Sequence, residues 1–226
     1  MGDHSFGVPA RLTARTFAGE EGLLNIEREV EMSGPIHDKG VFILQNYMTA
    51  LFAHIAPIAL NASIVFEQEY NSIEGDSASC AELYVLLSSL SGLAMKQSIA
   101  VTGAVNQYGE VLPVGGINEK IEGYFYVCKK AGLDGYQGVL IPRQNCRHLM
   151  LNNQVIDAVS KGLFHIYTMQ NVLEGMALLT DTPTGLSSEQ QGAKNVKYAL
   201  NSILGYAQKT LKSYRQACLK SQQSKS

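Results

Sequence analysis

Two apolar periods alternate along this chain, and the alternation limits what it can fold into. Apolar residues three and four apart mark helices, and residues two apart mark strands. Leu44, Tyr47, Met48, Leu51 and Ile55 predict a helix over 39–55 with Asp38 as its N-cap. Leu83, Leu86, Leu87 and Leu90 form a second stripe running to about Ser91. Ile117, Ile121, Tyr124 and Cys128 mark a third helix over 117–131, and shorter helices are expected at 153–160 and 169–178. Strands are expected at 62–70, 99–105, 110–114, 138–141 and 164–167. Near the start, 11–17 and 24–30 alternate, and Gly19 to Gly22 between them reads as a hairpin loop. Helices and strands interleave without an internal repeat, so the expected class is α+β, with mixed sheets packed by helices. Further on, Val196, Leu200, Ile203, Ala207, Leu211, Tyr214 and Cys218 step by three or four, which adds a C-terminal amphipathic helix.

This pattern divides the chain into a domain at 1–180, a polar linker at 181–192 and a basic helical extension at 193–226. With 46% apolar and 17% charged residues over 226 positions, the first part has material for a sizeable core. No run approaches the roughly 20 apolar residues of a membrane helix. Residues 1–10 lack the basic start and apolar run of a secretory signal, so a cytoplasmic setting without a membrane partner is expected. The four cysteines (Cys80, Cys128, Cys146 and Cys218) form no C-x-x-C pair and read as buried small hydrophobes, and no metal site is expected. Seven of the 18 basic residues and none of the 20 acidic ones lie in 190–226, giving an acidic body and a basic tail. That tail reads first as a solvated basic face whose apolar stripe packs on the body or a neighbouring subunit. Contact with nucleic acid is the second reading.

Two segments can carry chemistry. In Glu74-Gly-Asp-Ser-Ala-Ser79, glycine permits a tight backbone before a serine at a helix start. Helix N–H groups there would face a developing oxyanion, although an ordinary loop with an N-cap serine fits the same residues. A serine needs a base to take its proton. None of the histidines (His4, His37, His54, His148 and His165) sits in a pattern that singles it out, and no G-x-S-x-G elbow is present. Lys120 follows Gly115-Gly-Ile-Asn-Glu119 on the first turns of an apolar helix. Partial burial would lower its pKa and make it a base, while snorkelling to solvent beside Glu119 is the plainer alternative.

Together, Glu74 to Ser79, Thr102-Gly103 and Val111-Leu-Pro-Val-Gly-Gly-Ile-Asn-Glu-Lys120 resemble the proteolytic domain of the Lon protease family, in its B-type or Lon-related bacterial form. The resemblance covers most of 5–180 and includes Phe6 to Ala14, His37-Asp-Lys-Gly40 and Gly138 to Pro142. It implies a serine endopeptidase acting on unfolded or delivered proteins by acyl transfer. Ser77 would be the nucleophile, Lys120 the general base, and Thr102 a residue that helps hold the lysine. Asp76 and Glu74 border the nucleophile and would shape the loop or pair with Lys120, and such a pair would oppose base function by favouring the charged lysine. No cofactor is expected in the chain itself. It contains no Gly-Lys dipeptide and hence no Walker A loop, so ATP and Mg belong to an ATPase domain or subunit expected as a partner. The chain is accordingly read as the proteolytic part alone, and the family's ring assembly implies a homo-hexamer. Two other classes remain open: a non-catalytic ring-forming or partner-binding module with a dormant dyad, and a serine–lysine amidase or esterase acting on small substrates.

Overall fold

A computed structural model describes residues 5–186 and 198–223. Strands β1 (Arg11–Phe17), β2 (Gly22–Asn25) and β3 (Asn61–Glu67) form one sheet in the order β1-β3-β2. β1 runs antiparallel and β2 parallel to β3. The hairpin expected from 11–30 therefore does not form, because β3 lies between its two strands. A period of two identifies a strand but not its partner. The second strand also stops at Asn25. The Asn25 side chain accepts from Arg28 N at 2.9 Å and caps the short helix α1 (Ile26–Glu29). This places Glu27 behind the sheet, where its Oε1 accepts from Phe66 N at 2.7 Å.

Helix α2 (Pro35–Leu51) starts earlier than its apolar stripe suggests. Gly34 is the N-cap and Pro35, whose missing N–H costs nothing in the first turn, follows it. Asp38 instead lies in that first turn and accepts from Ser33 Oγ at 2.5 Å. Helix α3 (Ser79–Ser91) buries Leu83, Leu86, Leu87 and Leu90.

The strand expected at 99–105 is two strands. β4 (Ile99–Val101) joins a parallel sheet, and β5 (Ala104–Val105) pairs with β6 (Val111–Leu112) in a separate antiparallel ribbon. The parallel sheet has the order β4-β7-β8, with β7 (Gly138–Pro142) at its centre and β8 (His165–Met169) at the other side. Helices α4 (Ile117–Ala131) and α5 (Asn153–Ser160) share a core with it, made by Ile121, Phe125, Val139, Ile141, Val155 and Phe164. Met169 ends β8 rather than opening a helix. Helix α6 (Val172–Thr180) begins on a capping box formed by Asn171 and Glu174.

The final helix, α7 (Ile203–Gln223), is part of the main core. Ile203, Leu204, Ala207 and Leu211 are buried with Tyr198, against the same cluster as the α3 stripe. The Tyr198 hydroxyl donates to the Leu51 carbonyl at 2.5 Å. Ile203 N and Leu204 N donate to the Pro183 and Thr184 carbonyls at 3.0 and 3.1 Å, so the segment before the helix satisfies its first donors. The helix was expected from Val196. That residue lies outside the described segment, as does 187–192 of the expected linker, and Leu200 is exposed. The class is α+β with small mixed sheets, as the sequence predicts. Among the described residues no helix is long and apolar enough to cross a membrane.

If α7 belongs to the core, Leu204→Ala should lower unfolding stability by about 2–5 kcal/mol, while Leu200→Ala should change it by less than ~0.5 kcal/mol. Chemical denaturation of the two variants checks this.

Candidate active site

The Glu74–Ser79 loop is built from its backbone. Ile73 N donates to the Met32 carbonyl and Gly34 N to the Ile73 carbonyl, both at 2.9 Å, which ties the loop to the entry of α2. Gly75 then takes φ +81, a conformation a side chain would strain. The Asp76 carbonyl accepts from Ser79 N at 3.1 Å and from Ser79 Oγ at 2.7 Å, closing the turn that starts α3. Ser77 sits half-buried inside that turn. It is not the N-cap, a position Ala78 holds without a side-chain bond.

The end of β4 grips this turn. Thr102 N makes the last rung of the sheet, to the Leu140 carbonyl at 3.1 Å. The chain then leaves the sheet. Gly103 N donates to the Ser77 carbonyl at 2.8 Å, Thr102 Oγ1 donates to the same oxygen at 3.3 Å, and Cys80 N donates back to the Gly103 carbonyl at 3.1 Å. The split of the expected strand at Thr102 is therefore what brings it to the serine.

Lys120 arrives from the third direction. Gly116, at φ +65, starts α4, and Lys120 N donates to its carbonyl at 3.0 Å. The lysine Nζ donates to Ser77 Oγ at 2.9 Å and lies 3.3 Å from Thr102 Oγ1. Burial lowers the Lys120 pKa from its ordinary value, and the charge of Asp76 opposes that shift without cancelling it. Among the described residues Lys120 makes no ion pair. Asp76 acts on it through space, and Glu74 is not brought to it at all. Glu74 is exposed against Gly34, with its Oε2 accepting from Gly75 N at 3.3 Å.

A cleft of about 540 Å³ opens over Ser77, Thr102 and Lys120. Its walls are mainly apolar and include Val85, Met95, Val101, Val139 and Leu179, and among the described residues its lining contains no acidic side chain. Residues 8–12 form one edge, held along the head of α4 by Gly7 N donating to the Glu119 carbonyl at 3.1 Å. A second cavity, about 380 Å³ between α2 and β2, holds none of these groups. Among the described residues no cluster of His, Cys, Asp and Glu could hold a metal ion. The cysteines divide: Cys80 and Cys128 are buried, but Cys146 is exposed and Cys218 only half-buried. Cys146 is not core because it lies in a surface 3-10 turn, and Cys218 lies beyond the buried part of α7.

No described histidine is bonded to Ser77, and His4 lies outside the described residues. His37, however, belongs to a buried polar cluster that its sequence pattern did not single out. Asn25, Glu27, His37 and Glu82 are each 4% exposed or less. His37 Nε2 is 3.5 Å from Glu82 Oε1 and 3.5 Å from Asn25 Nδ2. Desolvation, with a smaller push from Glu27, raises the Glu82 carboxyl to about 8. Desolvation also lowers the His37 pKa, against the neighbouring Asp38, Glu27, Gly75 backbone and Glu74. A signal did exist in the sequence. Glu82 falls on the stripe between Ser79 and Leu86, and His37 precedes Val41 and Leu44 on the buried face of α2.

Residues 71–179, which hold Ser77, Thr102 and Lys120, match the Lon protease (S16) C-terminal proteolytic domain. A Lon protease homolog of Escherichia coli (strain K12) is 43% identical over 175 residues, covering 77% of this chain and 30% of the relative. Another, from Haemophilus influenzae (strain ATCC 51907 / DSM 11121 / KW20 / Rd), is 41% identical over 77% of this chain and 29% of the relative. The archaeal Lon protease of Methanothermobacter thermautotrophicus is 37% identical over 49% of this chain and 16% of the relative. The fold and the matched segment define a peptidase-type domain, and the chain belongs to the Lon protease family through that domain. It spans less than a third of the length of these curated relatives.

The Glu82 carboxyl gives a prediction about stability. Its folded pKa of about 8 lies above the ordinary value of 4.5, so the folded state holds a proton that the unfolded chain releases between those values. Stability carried by this group is fully present below pH 4.5 and is lost as pH rises toward 8. Glu82→Gln, which cannot ionise, should therefore melt close to wild type at about pH 4.5 and several degrees higher at about pH 8. Thermal unfolding of both proteins at the two pH values checks this.

Proposed function

We propose that this chain is the peptide-cleaving part of a Lon-type machine, a serine endopeptidase with Ser77 as nucleophile and Lys120 as general base. The observation that carries the reading is the 2.9 Å contact between Lys120 Nζ and Ser77 Oγ, made by a lysine whose burial favours its neutral form. Neutral Lys120 takes the Ser77 proton as Oγ attacks the carbonyl carbon of a bound peptide. The N–H groups of Ser77 and Ala78, at the head of α3, have no intramolecular acceptor among the described residues and are available to the oxyanion. Lys120 then gives the proton to the leaving amine, which departs and leaves an ester on Ser77. Water attacks that ester while Lys120 accepts the water's proton, and Lys120 then passes the proton to the departing Ser77 Oγ, which frees the acid product and restores the serine. Thr102 orients the ammonium, and Asp76 tunes its pKa.

The apolar cleft walls suit side chains of unfolded polypeptides, which we take as the substrate class. Delivery of such chains would need an ATPase domain or subunit using ATP and Mg, and the matched relatives are long enough to hold one. A homo-hexameric ring in the cytoplasm completes the proposal.

Ser77→Ala and Lys120→Ala should each reduce peptide release from casein by at least ~10²-fold. Equal activity in wild type and both variants would overturn the dyad. Thr102→Val should lower kcat about tenfold, because one hydrogen bond to the ammonium is lost. Asp76→Asn removes a charge that favours protonated Lys120, so the rise of kcat with pH should move to lower pH. Steady-state rates against pH check that direction.

A further inference from the structure

We propose that His37 is a positioning residue for the nucleophile loop, and that a proton held by the Glu82 carboxyl keeps it in its working form. The role in cleavage rests on the Ser77–Lys120 reading above, whereas the role in holding the loop does not.

Four elements meet at the His37 imidazole. Glu82 reaches it from α3, Asn25 from the cap of α1, Phe66 packs edge-on from β3 at 5.8 Å, and the Gly75 backbone approaches from the loop, two residues before Ser77. The titratable groups facing the ring are Glu82 on α3, Glu27 on α1, Glu74 on the loop and Asp38 on its own helix. β3 contributes only Phe66. Every one of these groups is a carboxyl.

The hydrogen-bonding roles follow from the contacts. Asn25 Oδ1 is committed to Arg28 N, so the amide group facing His37 Nε2 is the donor, Nδ2. Nε2 is therefore the acceptor nitrogen, and the ring proton lies on Nδ1. Among the described residues, both buried Glu82 oxygens have no hydrogen-bond partner within normal distance, and neither has Glu27 Oε2. A second carboxylate charge here would be uncompensated beside Glu27. With its proton, Glu82 has a donor to offer Nε2, and a shift of a few tenths of an ångström from 3.5 Å closes that bond. The Nδ1 proton is then free to serve the Gly75 carbonyl. The relay runs from Glu82 through His37 to Gly75, and so to the backbone that sets Ser77 Oγ. When Glu82 releases its proton to solvent, a carboxylate faces the Nε2 lone pair and, against the Asn25 donor, favours moving the ring proton from Nδ1 to Nε2, so the Gly75 carbonyl loses its donor and the loop loosens.

The test uses the whole chain and amide hydrogen exchange, corrected for the intrinsic rate at each pH. The reporters are Ser79, whose N–H closes the turn onto the Asp76 carbonyl, and Cys80, whose N–H fastens the head of α3 to the Gly103 carbonyl. In wild type their protection should fall about tenfold between roughly pH 6.5 and 9, the loss of about one hydrogen bond. In Glu82→Gln, whose amide still donates, protection should stay high and nearly independent of pH. In His37→Gln it should be low throughout, with protection in α5 and β8 unchanged. An unaltered wild-type pH dependence in Glu82→Gln, or full protection in His37→Gln, overturns the proposal. Rates of peptide release add a second readout: the fall of kcat at alkaline pH should vanish in Glu82→Gln, while the rise at acid pH and KM stay as in wild type. Failure of the dyad shows separately, as cleavage that survives Ser77→Ala, and leaves the exchange result interpretable.

Discussion

The carbonyl oxygen of Ser77 is where two parts of this molecule are joined. It accepts the Gly103 N–H at 2.8 Å and the Thr102 hydroxyl at 3.3 Å, and Cys80 N–H returns a bond to Gly103. These bonds fasten the head of α3 to the end of β4. β4 lies beside β7 in a parallel ladder, and α4 packs Ile117 and Ile121 against Val139 and Ile141 of that same β7. Ser77 and Lys120 are thus referred to one sheet through backbone bonds and close-packed side chains. Their separation depends little on the freedom of the lysine chain, which is the condition for a preorganised site.

Burial acts in opposite directions on the two sides of this joint. Lys120 is pushed toward its neutral form, which can accept a proton. Glu82 is pushed toward its neutral form, which can donate one. One physical cause, the cost of leaving water with a charge, favours a neutral amine on one face of the loop and a neutral carboxyl behind it. Asp76 lies between these regimes. Its charge opposes the shift of Lys120, so this carboxylate bears on the lysine without contacting it.

The sequence pattern disclosed local elements better than their partners. The helices at 117–131 and 153–160 follow from apolar spacing because each buries one continuous stripe. The 11–30 hairpin failed because alternation says nothing about which strand lies alongside, and the long-range pairing with β3 decided it. Residues 99–105 look like one apolar strand, and only the tertiary bonds of Thr102 and Gly103 reveal the break. Ser77 and Lys120 stood out through paired motifs resembling a family, not through local chemistry. His37 and Glu82 did not stand out, because a polar residue on an apolar stripe acquires meaning only when other elements close over it. Glu74, chosen for its proximity in sequence, turned out to lie on the Gly34 side of the loop, away from the lysine's partners.

The seating of α7 bears on the order in which this domain can be completed. Leu87 and Leu90 of α3 share their core with Ile203, Leu204 and Leu211, more than a hundred residues further along the chain. A ribosome exposes α3 long before α7. During that interval the helix behind the Ser77 turn carries an uncovered apolar face, and loop closure over that distance is entropically costly. The nascent domain therefore stays incomplete until the 203–223 segment emerges, so a chain interrupted before that point lacks the support on which the Ser77 turn rests.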